Sequence, residues 1–161
     1  MTNNYINRVN ATLFLCDECE EIDGELININ GIKNKILIDE SKMTDIKLLC
    51  RVDLVEYVLR NSCKDLSFVF FIRTINQTPA YINRLSGCKV SLSSEVDDVI
   101  TYSFPIITDY DNLPFPSEGK YAIEVYLFNG DIDVEKEKID KKYYRRKENF
   151  INMLMIEVEK Q

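Results

Sequence analysis

Leu66-Ser-Phe-Val-Phe-Phe-Ile-Arg-Thr74 is the stretch on which the fold turns. In an extended chain, successive side chains point to opposite sides, so Leu66, Phe68, Phe70 and Ile72 share one face while Val69 and Phe71 occupy the other. Large apolar groups on both faces need cover on both faces. The segment is therefore predicted to be a central β-strand lying between two layers.

The same period of two recurs outward from it in both directions. Downstream, Tyr121, Ile123, Val125 and Leu127 alternate with Ala122, Glu124, Tyr126 and Phe128, and Asn129-Gly130 then offers a hairpin turn, with a return strand expected through Val134. Ile100, Tyr102, Phe104 and Ile106 form another alternating row, with Pro105 inside the pattern placing its far end at an edge or a bend. Upstream, Ala11 to Cys16 reads as an inner strand, Asp23-Gly24 as a turn, Glu25 to Asn30 and Lys35 to Ile38 as short strands, and Ile46 to Arg51 as a further one. Cys88, Val90 and Leu92 continue the pattern.

Three segments are less uniform. Val52 to Arg60 fits a strand, but Val52, Val55 and Leu59 also share a helical face that Asp53 could cap, and a short helix is the expectation. Asp109 to Gly119, with Pro114, Pro116 and Gly119, reads as a loop, with Leu113 and Phe115 available to plug the end of a core. Beyond Glu135 the composition turns to dense mixed charge. Phe150 to Val158 then fits a helix through Phe150, Leu154 and Val158, or a strand through Leu154, Ile156 and Val158, and a helix continuous with the charged run is expected. The fold class is accordingly mainly β: an antiparallel β-sandwich over residues 1–134, followed by a charged, helical C-terminal extension, 135–161, packing on the domain or on a partner.

Composition narrows the functional classes. A chain of 161 residues, 45% hydrophobic, supports one substantial core. Its formal charge of -7 repels a phosphate backbone, so nucleic acid is not expected as a partner. The absence of histidine removes Ser-His-Asp and Cys-His chemistry and every histidine-containing metal site. The polar start, with Asn3, Asn4, Asn7 and Asn10, carries no apolar run for a signal peptide or a membrane span, which predicts a cytoplasmic protein with no membrane partner. Five cysteines, an odd set, fit reduced thiols in that compartment better than a disulfide framework.

Leu113-Pro-Phe-Pro-Ser-Glu-Gly-Lys-Tyr-Ala-Ile-Glu-Val-Tyr126 resembles the entry to a late strand of immunoglobulin-like sandwich domains. That resemblance implies that Tyr121 closes the end of the sandwich with a hydrogen bond back to the preceding loop. Ala11-Thr-Leu-Phe-Leu-Cys-Asp17, with Gly24-Glu-Leu26 and Asn30-Gly-Ile32, is similar to the start of a family of uncharacterised bacterial domains of this architecture. The resemblance runs from about Ala11 to Val134 and implies no activity, cofactor or catalytic residue.

Four candidate features remain. Cys16-x-x-Cys19 has the spacing of a thiolate pair that could share zinc with Cys50 and Cys63 or Cys88, or act as a redox dithiol; Asp17 and Glu18 oppose the thiolate that a redox site needs. Free thiols are the simpler reading. Asp17, Glu18, Glu20, Glu21 and Asp23 form one acidic loop, and Glu95, Asp97 and Asp98 with Asp109 and Asp111 form another; such oxygens could hold a hard cation, though solvated loop charge accounts for them. The basic run Lys141, Lys142, Arg145, Arg146 and Lys147, around Tyr143 and Tyr144, could meet an anionic surface, or dock on its own domain or on a second copy. The scattered glycines make no phosphate-cradling loop. The sequence thus predicts no catalytic, cofactor or metal residue and no cofactor. It favours a noncatalytic protein-interaction or structural module, with a homo-oligomer or another protein as partner, over a small metal-dependent enzyme or metal-binding module using the acidic loops.

Overall fold

The computed structural model describes residues 8–58, 65–92, 99–129 and 141–161. Its strands run β1 (Arg8–Cys16), β2 (Glu18–Ile22), β3 (Glu25–Asn30), β4 (Lys35–Ile38), β5 (Met43–Val58), β6 (Asp65–Thr74), β7 (Ile82–Ser91), β8 (Val99–Pro114), β9 (Gly119–Asn129) and β10 (Phe150–Lys160). A three-stranded sheet has the order β1-β5-β8, a five-stranded sheet β4-β10-β9-β6-β7, and β2 and β3 form a hairpin of their own. These orders resemble the A-B-E and G-F-C-C′ arrangement of immunoglobulin sandwiches.

β6 sits between β9 and β7 and is buried over almost its whole length, as its double row of apolar side chains requires. Leu66, Phe68, Phe70 and Ile72 face inward into a core shared with Leu13, Leu15, Leu48, Cys50, Val52 and Phe104 of the other sheet. Phe68 and Phe104 meet edge to face across that interface, with ring centroids 5.8 Å apart. Val69 and Phe71 face outward, where they join Tyr126, Phe128 and Tyr144 in a second cluster.

The expected helical C-terminal extension is overturned. Phe150–Lys160 is a strand in the interior of the five-stranded sheet, antiparallel to β9 and, over Glu157–Lys160, parallel to β4. The only helical turns between residues 141 and 149 are Lys141–Tyr144, called α1, and a 3₁₀ turn at Lys147–Asn149. The physical reason is partly local, since β-branched Ile151, Ile156 and Val158 suit a pleated surface. It is mainly non-local: a strand here satisfies its backbone groups on β9 and β4, which no window of sequence reports. Leu154 and Val158 lie four residues apart, a spacing that both periods accept. The boundary expected at residues 134 and 135 lies outside the described residues, as do the return strand after Asn129-Gly130 and Cys63.

The short helix expected over Val52 to Arg60 is also corrected as far as Val58, since β5 continues to that residue, paired with β1 and β8. An irregularity between the pairs Leu54↔Tyr102 and Tyr57↔Ile100 shifts the alternation. Up to that point the alternation is regular: Val52 and Leu54 are buried while Val55 is 42% exposed, so the spacing that suggests a helical face joins residues on opposite sides of the strand. The loop expected over Asp109 to Gly119 begins later than read, because β8 pairs with β5 as far as Pro114. β8 is an edge strand, which accommodates Pro105.

Tyr121 makes the expected closure. Its hydroxyl donates to the Ser117 carbonyl at 2.7 Å, its ring is wholly buried, and Phe115 packs against it edge to face at 5.4 Å. Asp23 and Gly24, with φ of 53° and 79°, form the turn between β2 and β3.

Two outcomes are expected. Deleting Phe150–Gln161 removes an interior strand and strands β4 without a partner, so the truncated chain should lose its cooperative thermal transition and its β-sheet circular dichroism. Tyr121→Phe keeps the ring and loses the hydroxyl's hydrogen bonds to Ser117, so it should lower stability by about 1 kcal/mol in denaturant titration.

Candidate functional site

The outer face of the five-stranded sheet carries most of the chemistry that the fold organises. The alternation of β9 sends Ala122, Glu124, Tyr126 and Phe128 to this side. In register across the sheet, Glu124 lies between Met153 of β10 and Phe71 of β6. Glu124 is only 4% exposed, an unusual position for a carboxylate unless it is paired.

Its partners come from three places in the chain. Arg73 of β6 donates through Nε to Oε1 at 2.5 Å, Arg145 donates through Nε to Oε2 at 3.1 Å, and the Tyr126 hydroxyl donates to Oε2 at 2.8 Å. Burial pushes the Glu124 carboxyl up, but the hydrogen bonds from Arg145, Arg73 and Tyr126 outweigh it and hold the group below its usual range. Tyr126 is driven the other way, up to about 12, by burial and by the hydrogen bond to Glu124. Two guanidinium groups and a phenol around one carboxylate make a clamp rather than an acid-base pair, because the carboxylate is kept charged and each donor is committed to it.

Arg145 and Tyr144 belong to the basic run singled out in the sequence. Tyr144 is buried against Phe128, with ring centroids 5.4 Å apart, and Lys141 donates to the Ile82 carbonyl at 2.5 Å. Part of this run is thus fixed to its own domain, across the outer face of β9 and β6. The sequence marked the segment through its charge but did not mark Glu124 as its receptor, since that pairing spans 21 residues and the one with Arg73 spans 51.

Beside the clamp, the same face exposes apolar side chains. Phe150, Met153 and Met155 along β10 and Leu37 on β4 all point outward and are between 39% and 51% exposed. Phe150 leans on Tyr126 at 5.7 Å, which joins the apolar row to the clamp. An ion pair between Lys35 and Glu159, 2.9 Å long, borders the row on the β4 side.

The other candidates are scattered. Cys16 ends β1 and Cys19 lies in β2, whereas Cys50 is buried within β5 and Cys88 lies on β7, so the four do not assemble into one tetrahedral set. Burial, with help from Cys19, pushes the Cys16 thiol up to about 11, and burial pushes Cys50 up to about 12. The first acidic loop is a hairpin, not a loop. Asp109 and Asp111 lie within β8, where Asp109 pairs with Lys47 at 3.1 Å. Glu95, Asp97 and Asp98 fall outside the described residues. Among the described residues, no three cysteine, aspartate or glutamate side chains converge as metal ligands.

No known protein family matches this sequence. No curated protein matches it either. Solved structures give distant likenesses. A β-glucosidase from Listeria innocua in complex with isofagomine aligns with 97% of this chain at 5% identity and a TM-score of 0.46, and a mutant of it with laminaribiose aligns with 96%. This chain spans 16% of the length of that enzyme. An immunoglobulin-like protein from Pseudomonas aeruginosa aligns over 94% of this chain and 92% of its own, at 11% identity and a TM-score of 0.31. The chain bears a weak structural resemblance to an immunoglobulin-like β-sandwich. Among the described residues, no helix is long and apolar enough to cross a membrane.

The clamp sets a pH dependence with a defined sign. A carboxyl held below its unfolded value contributes stability at neutral pH, and that contribution is lost as pH falls through the depressed folded value. Glu124→Gln should therefore destabilise the protein at pH 7 by about 2 kcal/mol, because two half-buried guanidinium groups lose their counter-charge. The gap between variant and wild type should narrow in acid below the ordinary carboxylate range, as measured by urea unfolding at a series of pH values.

Proposed function

We propose that this chain is a noncatalytic protein-interaction or structural module that uses the outer face of its five-stranded sheet as the contact surface. The observation that supports this reading is the exposed row Phe150, Met153, Met155 and Leu37. A contiguous apolar strip on an otherwise charged, acidic chain is a feature that solution alone does not favour. Methionines suit such a surface because their unbranched side chains repack against different partners. The neighbouring clamp keeps the strip rigid, since Tyr126 holds both Glu124 and the Phe150 ring. The alternative, a metal-dependent module built on the acidic segments, has no observation in its favour: among the described residues, no three acidic or cysteine side chains gather as ligands.

A second copy of the chain is the first partner to test. The wild-type protein is expected to sediment above its monomer mass at high micromolar concentration, and Met153→Glu with Met155→Glu should sediment as a monomer with its thermal unfolding nearly unchanged, as exposed positions allow. A wild-type chain that stays monomeric throughout would remove self-association from this reading.

A further inference from the structure

The three-stranded sheet ends in β1 and β8, and the five-stranded sheet ends in β4 and β7. An open edge presents unpaired amides and carbonyls to any extended chain, so folded proteins blunt it. β8 carries Pro105, the Asn152 side chain of β10 donates to the Ala11 carbonyl of β1 at 2.5 Å, and the Lys141 ammonium takes the Ile82 carbonyl where β7 begins. Among the described residues, β4 has β10 on one side and no strand on the other. The carbonyls of Asn34 and Ile38 accept from the amides of Glu157 and Gln161, at 2.8 and 2.9 Å, so the even-numbered residues turn their backbone groups to β10. Lys35 and Leu37 therefore turn theirs to the open side.

The stretch around β4, Lys33-Asn-Lys-Ile-Leu-Ile-Asp-Glu40, is basic at one end and acidic at the other. Such a strand complements itself when a second copy runs antiparallel to it. With Leu37 on the two-fold axis, Leu37 meets its own counterpart, Lys35 meets Asp39 in both halves, and Ile36 meets Ile38. Leu37 then exchanges with its counterpart the backbone groups that β10 leaves free. We propose that β4 pairs in this register with β4 of a second copy, joining two five-stranded sheets into one. Lys35 and Asp39 are both exposed. Lys35 already holds Glu159 at 2.9 Å, and its ammonium has donors for both carboxylates. Moving the axis to Ile36 would set Lys35 against Leu37 and leave Asp39 to Lys33, which Asp17 already holds. A lysine on an edge repels strands that bring it no acid, so the residue that guards β4 also selects this partner and this register. Both outer faces lie on the same side of the joined sheet, which puts the two rows of Phe150, Met153 and Met155 on one face. An edge of four residues is too short to hold two copies by itself, so the inference rests on the interaction reading of that face: β4 sets the register, and burial of the rows supplies the affinity.

At concentrations where the wild type self-associates in sedimentation, Asp39→Lys sets lysine against lysine across the axis and Lys35→Asp sets acid against acid. Each should weaken association by about tenfold or more, and the two substitutions in one chain should restore it. Restoration identifies a contact between copies, because the double variant does not recover the pair of Lys35 with Glu159 within the chain. In the wild type, with no substitution, the amide protons of Lys35 and Leu37 should gain protection from hydrogen exchange as concentration rises. A double variant as weak as either single one, or Lys35 and Leu37 amides that stay unprotected in the associated protein, would overturn the β4 pairing and leave the face reading standing. A chain that is monomeric at every concentration would remove self-association, and this pairing with it.

Discussion

The constraint that shapes this protein is a pair of neighbouring strands, β6 and β9, that are apolar on both sides. One side is covered by the three-stranded sheet, which supplies Leu13, Leu48, Val52 and Phe104. Among the described residues, no strand of the other sheets lies over the second side. It is covered instead by the short segment carrying Tyr144 and Arg145, which lies across β9 and β6. The outer cover is thin, and that is why its attachment uses charge as well as apolar contact.

Glu124 is where this arrangement becomes specific. An apolar side chain in its place could bury as much surface, but it would leave Arg73 and Arg145 without a counter-charge and the covering segment free to slide. A carboxylate that receives three donors defines one position and one orientation. The apolar row of Phe150, Met153 and Met155 therefore sits beside a part of the sheet whose geometry is fixed, a condition under which a small exposed strip can be selective.

Much of the fold was legible because a pleated strand advertises itself locally. Leu66 to Thr74 and Tyr121 to Phe128 could be read without any partner, and Asp23-Gly24 and Tyr121 could be read from the conformations that their neighbours demand. What could not be read were the places where two periods coincide or where pairing is remote. Val52 and Val55 looked helical by spacing alone, although β5 buries the first and exposes the second, and Leu154 and Val158 satisfied both templates until β9 and β4 were known to flank them. The candidate site was legible only in fragments. Cys16 and Cys19 stood out by spacing and the basic run by charge, but Glu124 looked like an ordinary outward residue of a half-exposed strand. Its burial depends on side chains that are distant in sequence.

The parallel pairing of Lys35–Ile38 with Glu157–Lys160 joins an early part of the chain to a very late one. During synthesis, β4 emerges from the ribosome roughly 10 s before its neighbour exists, at ordinary elongation rates. β9 likewise waits with one flank open until β10 arrives. The nascent protein thus spends most of its translation as an incomplete sheet with an adhesive border, and in a crowded cell that interval, rather than the finished molecule, is when it is most exposed to mispairing with its neighbours.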